Sequence, residues 1–192
     1  MNYRHLSQAR FALDGYSVTP IRLQDMYRIK TWRNEQIDVL RQTKPLTDED
    51  QRAYFERVVE PSFADCEPRI MLFSYFQNEA LIGYGGLTNI DWGHGRAEIS
   101  YLVETSRSFE SDSKRYGEDF GHFLALMKSI AFDELRLYRL YTETFDIRPV
   151  HVGVLERCGF LPEGRLRGHV KIGGAHVDSL MHGCLREEKQ NV

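Results

Sequence analysis

The chain has few cysteines. There are only three, Cys66, Cys158 and Cys184, odd in number and far apart, with no CxxC and no Cys/His cluster. That argues against a disulfide framework and a structural zinc site, so no metal is expected. Reduced thiols in a cytoplasmic protein are the simplest expectation. Long apolar runs are absent too. Nothing approaches a membrane span, and the polar stretch Met1 to Arg10 lacks the apolar centre of a secretory signal. Charge of one sign is not in excess: 25 Lys and Arg face 28 Asp and Glu, interspersed, for a net charge of -3. Such a balance supplies no field for nucleic acid or an anionic membrane surface. There is no internal repeat and no low-complexity linker. What remains is 42% apolar and 12% aromatic residues in 192, enough to bury a substantial core. The length suits one domain over residues 1–192, with 1–15 as a short N-terminal extension.

Hydrophobic periodicity gives the coarse order of elements. Tyr16 to Arg22 reads as a strand, and Leu23 to Trp32 as a helix with Leu23, Met26, Ile29 and Trp32 spaced by three. Thr47 is placed to cap the amide of Asp50 and open a second helix. Tyr54, Phe55, Val58 and Val59 would form its buried face, and Pro61 would stop it. Ile70 to Phe76 and Ala80 to Ile90 form a hairpin turned at Gln77-Asn78-Glu79, followed by a strand from Ala97 to Val103. A long helix from Gly117 to Phe132 keeps Phe120, Phe123, Leu124, Met127, Ile130 and Ala131 on one face. After the strand Leu140 to Phe145, Pro149 suits a first helical turn and Gly159 the left-handed residue that ends it. Strands near 164–172 and 175–185 close the chain around Gly173-Gly174. The fold expected is α/β, with a mixed sheet of six or seven strands flanked by about four helices.

One local feature suggests chemistry. The strand Ala97 to Val103 leads to the turn Lys114-Arg115-Tyr116-Gly117-Glu118-Asp119, which opens the long helix. Amides at a helix N-terminus lack intrahelical partners and attract phosphate groups. Gly117 would let a diphosphate approach closely, and Lys114 and Arg115 would add charge-assisted contacts. The plain alternative is an ordinary loop before a helix, with Glu118 and Asp119 serving only the helix dipole. Gly83, Gly85 and Gly86 make no dinucleotide fingerprint, because no helix follows them.

The stretch Lys114 to Asp119, followed by Phe145-Asp146-Ile147-Arg148-Pro149 and Leu155-Glu156-Arg157-Cys158-Gly159-Phe160, resembles the core of the GNAT superfamily of acyl-CoA N-acyltransferases. The order of elements from Tyr16 to Leu185 matches that fold, and the tail from Glu163 to Arg167 is similar to the strand after its Gly-Phe pair. The resemblance implies a mostly antiparallel sheet whose two central parallel strands, 97–103 and 140–145, splay into a V holding acetyl-CoA. Amides near Leu102 and Val103 would bond the pantetheine chain and the thioester oxygen, and residues 114–119 would hold the diphosphate. Arg148 stands where the family often has Asn. The reaction implied is direct attack by an amine, with no protein nucleophile.

Departures from the family pattern matter. Asp119 replaces a Gly or Ala, which would put a carboxylate in the anion-binding turn. Leu155 replaces the Tyr proposed to protonate the leaving sulfur, and it has no proton to give. A subgroup resembling the ribosomal-protein N-terminal acetyltransferases also lacks that Tyr, and the usual Ser one turn earlier is His151 here. Glu98 is the candidate general base. Strand alternation places it with Ser100 and Leu102 on one face, and the alternative is a surface ion pair with Arg96 or Arg165. His151 is a second catalytic candidate, with a solvated first-turn histidine as its plain alternative. His94 lies in a loop that would face substrate or solvent.

Trp32, Arg33, Asn34 and Tyr84 are candidates for the acceptor wall, against the alternative that Trp32 is core and Arg33-Asn34 a helix end. The acceptor expected is a small-molecule or peptide amine. Members acting on nucleotide-linked amino sugars offer one comparison, since Arg22, Arg28, Arg33 and Arg41 would suit a diphosphate. A protein N-terminus is the second acceptor considered, and an aminoglycoside or polyamine the third. A catalytically idle acyl-CoA sensor competes from another class. The sequence gives no oligomeric state, although dimers are common in proteins of this resemblance.

Overall fold

The computed structural model describes residues 2–108 and 112–190. Eight strands form one sheet: β1 (Phe11–Leu13), β2 (Tyr16–Pro20), β3 (Met71–Gln77), β4 (Ala80–Asp91), β5 (Arg96–Val103), β6 (Arg139–Phe145), β7 (Leu161–Ile172) and β8 (Ala175–Leu185). Their order is β1-β2-β3-β4-β5-β6-β8-β7. Every neighbouring pair is antiparallel except β5 and β6. The sheet exceeds the expected six or seven strands because the N-terminal segment takes part in it. Asp14 and Gly15, both at positive φ, turn β1 onto β2. Tyr3, Leu6 and Phe11 are buried, and the Tyr3 hydroxyl donates to the Leu72 carbonyl at 2.9 Å. Three residues are too few to show an alternating pattern, so β1 left no periodic signal.

Four main helices cover the sheet: α1 (Met26–Glu35), α2 (Asp48–Tyr54), α3 (Ser113–Lys128) and α4 (Pro149–Arg157). Thr47 caps α2 as expected, and Asp50 completes a capping box by accepting the Thr47 amide. This helix does not stop at Pro61. It runs on through a π-helical turn (Phe55–Val59) into Glu60–Ser62. Pro61 lacks an N–H and would crowd the carbonyl four residues back, and the widened turn lies where that carbonyl stands. The wider turn also changes which side chains face inward. Phe55 and Val59 are buried, whereas Tyr54 (43% exposed) and Val58 (40%) face outward. Gly159 ends α4 at φ +78°, and Gly173-Gly174 turns β7 into β8 at φ +56° and +88°.

The two faces of the sheet have different neighbours. On one, Tyr75 and Tyr101 pack on Phe120 and Phe123 of α3. There Gly85 is required, since a Cβ would stand 2.7 Å from the Phe123 ring. The other face carries Leu72, Tyr84, Thr88, Glu98 and Ser100 beneath α1 and α2. The feature that positions a site is the parallel pair. β5 and β6 are in register only from Arg96↔Arg139 to Glu98↔Tyr141, and then they diverge. This is the expected V.

Candidate active site

A cleft of about 190 Å³ opens where β5 and β6 part, lined by residues that include Glu98, Tyr101, Phe120, Thr142, Thr144 and His151. Beyond Glu98, β5 has a strand partner on one side only. The Leu102 and Ser100 carbonyls point at β4, next to Gly83 and Gly85. Backbone alternation therefore turns Tyr101 and Val103 toward the gap. The expectation that the Leu102 amide faces the gap is corrected: its backbone belongs to the β4–β5 ladder, and the Tyr101 backbone faces the gap instead. The Val103 carbonyl accepts Gln36 Nε2 at 2.8 Å. The hydroxyls of Tyr101, Thr142 and Thr144 are buried here without partners, as is Arg148 Nε. Buried polar atoms are costly to leave unpaired, so a polar occupant of the cleft is the natural partner for them.

His151 is not a solvated histidine. It is buried, stacks on Phe120 at 4.1 Å, and places Nδ1 2.6 Å from the Tyr116 hydroxyl. Arg148 donates to that same hydroxyl at 2.9 Å. Burial first, then Arg148 and His182, push the His151 pKa well below 6.5, so the ring is neutral at pH 7. Tyr116 is likewise buried rather than displayed in a turn, and burial raises its pKa. Leu155 is fully buried and purely apolar.

The helix expected to open at Gly117 opens at Ser113, with Asp112 as its cap accepting the Arg115 amide at 3.0 Å. Gly117 is the fifth helical residue, so its N–H belongs to the intrahelical ladder. A Cβ there would meet Arg157 and Val154 at ordinary contact distances of 3.6 and 3.7 Å. The amides at the helix N-terminus are therefore those of residues 113–115, ahead of the glycine. Lys114, Arg115 and Glu118 are exposed along these first turns. Residues 109–111, which precede them, lie outside the described residues.

Asp119 does not face that turn. It is fully buried, and its carboxylate accepts two bonds from Arg107, both at 2.8 Å, and one from Tyr16 at 2.9 Å. Arg107 also donates to Gln77 at 2.6 Å. Burial and the bond to Asp119 push the Tyr16 pKa up to about 12. Asp119 thus tethers α3 to β2 and to the loop after β5.

On the opposite face, Glu98 lies buried at the fork of the V. It pairs with neither Arg96 nor Arg165. Arg41 donates to its Oε1 at 2.7 Å and to Glu143 at 2.8 Å, while Asn89 donates to its Oε2 at 2.7 Å. Arg41 therefore bridges two carboxylates on diverging strands. Glu143 was legible in principle, because alternation puts Tyr141 and Glu143 on the Glu98 side of β6. Arg41 comes from a loop with no periodic signal.

Trp32 is buried in the core under Arg28. Asn34 clamps the loop before α2: its carbonyl oxygen accepts the Leu46 and Gln42 N–H groups, and its amide donates to the Leu46 carbonyl. Arg33 donates to the Tyr84 hydroxyl and to Gln42, and both Arg33 and Tyr84 line open space beside Ser100. Arg22 and Arg28 are tied to Asp25 and Glu104. Together with the Arg41 bridge, these pairings weaken the case for a diphosphate on the acceptor. His94 sits in an exposed loop paired with Asp91.

The sequence profile described as "Acetyltransferase (GNAT) domain" matches residues 18–181. The chain belongs to the GNAT acetyltransferase family. It is an acetyl-CoA-dependent N-acetyltransferase, with the V-shaped sheet of that family. No curated protein matches it in sequence. Among solved structures it is similar to spermidine N-acetyltransferase from Vibrio cholerae in complex with CoA and spermine. That likeness has a TM-score of 0.78 at 18% identity, covering 92% of this chain and 99% of the other. It is also similar to the dodecameric form of that enzyme in an intermediate state, with a TM-score of 0.72 at 19% identity, covering 93% and 98%. At such identities the likeness is one of fold. Among the described residues no group of His, Cys, Asp or Glu is arranged to hold a metal ion, and no helix is long and apolar enough to cross a membrane.

Proposed function

We propose that acetyl-CoA lies in the gap between β5 and β6 and gives its acetyl group to a primary amine that enters from the α1–α2 face. The observation that carries this reading is the fork itself, with a buried carboxylate on one face and unpartnered hydroxyls in the opening. The Tyr101 and Val103 amides would bond the pantetheine and polarise the thioester oxygen, where the tetrahedral intermediate gathers negative charge. The amides of Ser113 and Lys114, with the Lys114 and Arg115 side chains, would hold the diphosphate.

The amine attacks as the free base, and Glu98 takes the one proton its nitrogen sheds as the tetrahedral intermediate forms, directly or through water. It can do so only after Arg41 has swung away, because Arg41 and Asn89 now hold its two oxygens. The leaving sulfur needs a proton that Leu155 lacks. His151 supplies it in this reading: one ring nitrogen gives a proton to the thiolate while Nδ1 receives the Tyr116 proton, and Arg148 stands beside the phenolate that results. Arg148, His151 and Tyr116 thereby take the place of the usual tyrosine.

Free-thiol release from acetyl-CoA, measured across a panel of amines, tests the reading. A catalytically idle sensor, the competing reading, would bind acetyl-CoA and release no thiol with any of them. The acceptor classes remain small-molecule or peptide amines, within a single cytoplasmic acetyltransferase domain. The side chains of edge strand β7 are exposed from 161 to 169, which suits pairing with a second copy as a homodimer. Sedimentation velocity decides that point, and a monomer at micromolar concentration would refute it.

A further inference from the structure

The same sheet face that carries Glu98 also floors a second space. A chamber of about 300 Å³ lies between the sheet and the α1–α2 layer. Ile21, Ile29, Tyr54, Phe55, Val59 and Leu72 make nearly half of its wall, and Leu46 and Tyr84 extend the apolar part. Arg33, Thr88 and Ser100 line both this chamber and the cleft at the fork, so the two spaces adjoin. The π-helical turn sets Phe55 and Val59 into the chamber and leaves Tyr54 at its mouth, 43% exposed. Among the described residues that line it, Asp50 is the sole carboxylate, and it already accepts the Thr47 amide at 3.0 Å.

Those walls select a chemical class. A chain of several ammonium groups would be stripped of water here without carboxylates to replace it, a costly exchange. A compact apolar group loses nothing and gains burial. An apolar cavity of roughly 150 Å³ is enough to take up benzene, so this space admits a phenyl or branched alkyl group with room to spare.

We propose that the acceptor is a primary amine carrying one aryl or branched alkyl group, the apolar part in the chamber and the nitrogen at Glu98. The proposal rests on the transfer reading above and narrows it. A single misfitted methylene in such a pocket changes kcat/KM by roughly 10–200-fold, so discrimination between amines is expected to be large.

The test compares kcat/KM for thiol release with 2-phenylethylamine, isopentylamine, methylamine and spermidine. Binding of 2-phenylethylamine to the protein without acetyl-CoA is followed in parallel by calorimetry. The two apolar amines should exceed both methylamine and spermidine by at least about tenfold. Leu46→Trp, which narrows the chamber from a half-buried loop position, should cut the ratio of 2-phenylethylamine to methylamine at least fivefold. Tyr54→Ala, at an exposed mouth position where folding is not at stake, should weaken 2-phenylethylamine binding at least threefold. A preference for spermidine, or a ratio and an affinity that ignore both variants, overturns the proposal while leaving acetyl transfer intact. Binding that depends on Tyr54, with no thiol released from any amine, keeps the chamber assignment and removes the transfer reading instead. Absence of both binding and turnover of the apolar amines overturns the chamber assignment.

Discussion

Replacing Arg107 with Met should destabilise the protein strongly without touching cofactor affinity. Asp119 has no exposed surface, and among the described residues its carboxylate takes two of its three hydrogen bonds from Arg107. Removing the guanidinium leaves a buried charge with the Tyr16 hydroxyl alone. Breaking one half of such a pair costs about 3–5 kcal/mol, whereas exchanging both halves for apolar residues is often close to neutral. For a chain of this size each kcal/mol moves Tm by about 2–4 °C. The single variant should therefore lose at least about 6 °C, and Arg107→Met combined with Asp119→Leu should recover most of that loss. Gln77 also accepts a bond from Arg107, at 2.6 Å, and loses it in both variants, so recovery stays incomplete. Thermal denaturation at pH 7 measures the two variants, and equilibrium dialysis measures acetyl-CoA binding by the folded proteins. A double variant no better than the single one would refute the buried-pair argument. A tenfold loss of acetyl-CoA affinity in the stable double variant would return Asp119 to the cofactor site.

Other substitutions separate chemistry from scaffold. Glu98→Gln should lower kcat by about 10²–10⁴-fold with little change in acetyl-CoA binding, and a loss under twofold removes Glu98 from the mechanism. Arg41→Ala should lower the amine KM at least threefold, because the guanidinium no longer competes for Glu98 and Glu143, whereas a raised KM would make Arg41 part of the acceptor site. Gly117→Ala should leave acetyl-CoA affinity unchanged and add about 0.5–1 kcal/mol of stability, read as a rise in Tm, since a helical Gly is replaced where a Cβ meets only ordinary contacts. A weakened affinity would restore Gly117 to the diphosphate turn. His151 is held neutral in the fold, so its contribution to stability is complete above pH 6.5 and falls away as pH drops toward its lowered native pKa. Unfolding free energies between pH 7.5 and 5 should decline by about 1 kcal/mol per unit below 6.5, and His151→Leu should flatten that slope.

Much of the scaffold was legible in the sequence because its signals are local. The apolar stripe from Phe120 to Ala131, the Thr47 cap and the glycines at 159, 173 and 174 each state their own geometry. The two linked segments, 114–119 and 145–160, carried the family. What stayed hidden depends on contacts distant in sequence. Asp119 sits in the family's anion turn by position, yet Arg107, Gln77 and Tyr16 draw it into the core. The start of α3 was misplaced because Asp112, a cap residue, precedes the glycine by five positions. His151 was unreadable as a buried base, since its burial comes from Phe120 and Tyr116 on another helix. The chamber under α2 depends on a π turn, which no 3.6-residue pattern announces.

The central claim is that the parting of β5 from β6 receives the pantetheine arm, with the diphosphate on the amides that open α3. A crystal structure of the CoA complex measures this directly. The sulfur should lie in the gap beside Tyr101 and Thr142, and the diphosphate should rest on the Ser113 and Lys114 amides. CoA bound elsewhere with the gap still open, or bound with β5 and β6 paired along their whole length, would contradict the account.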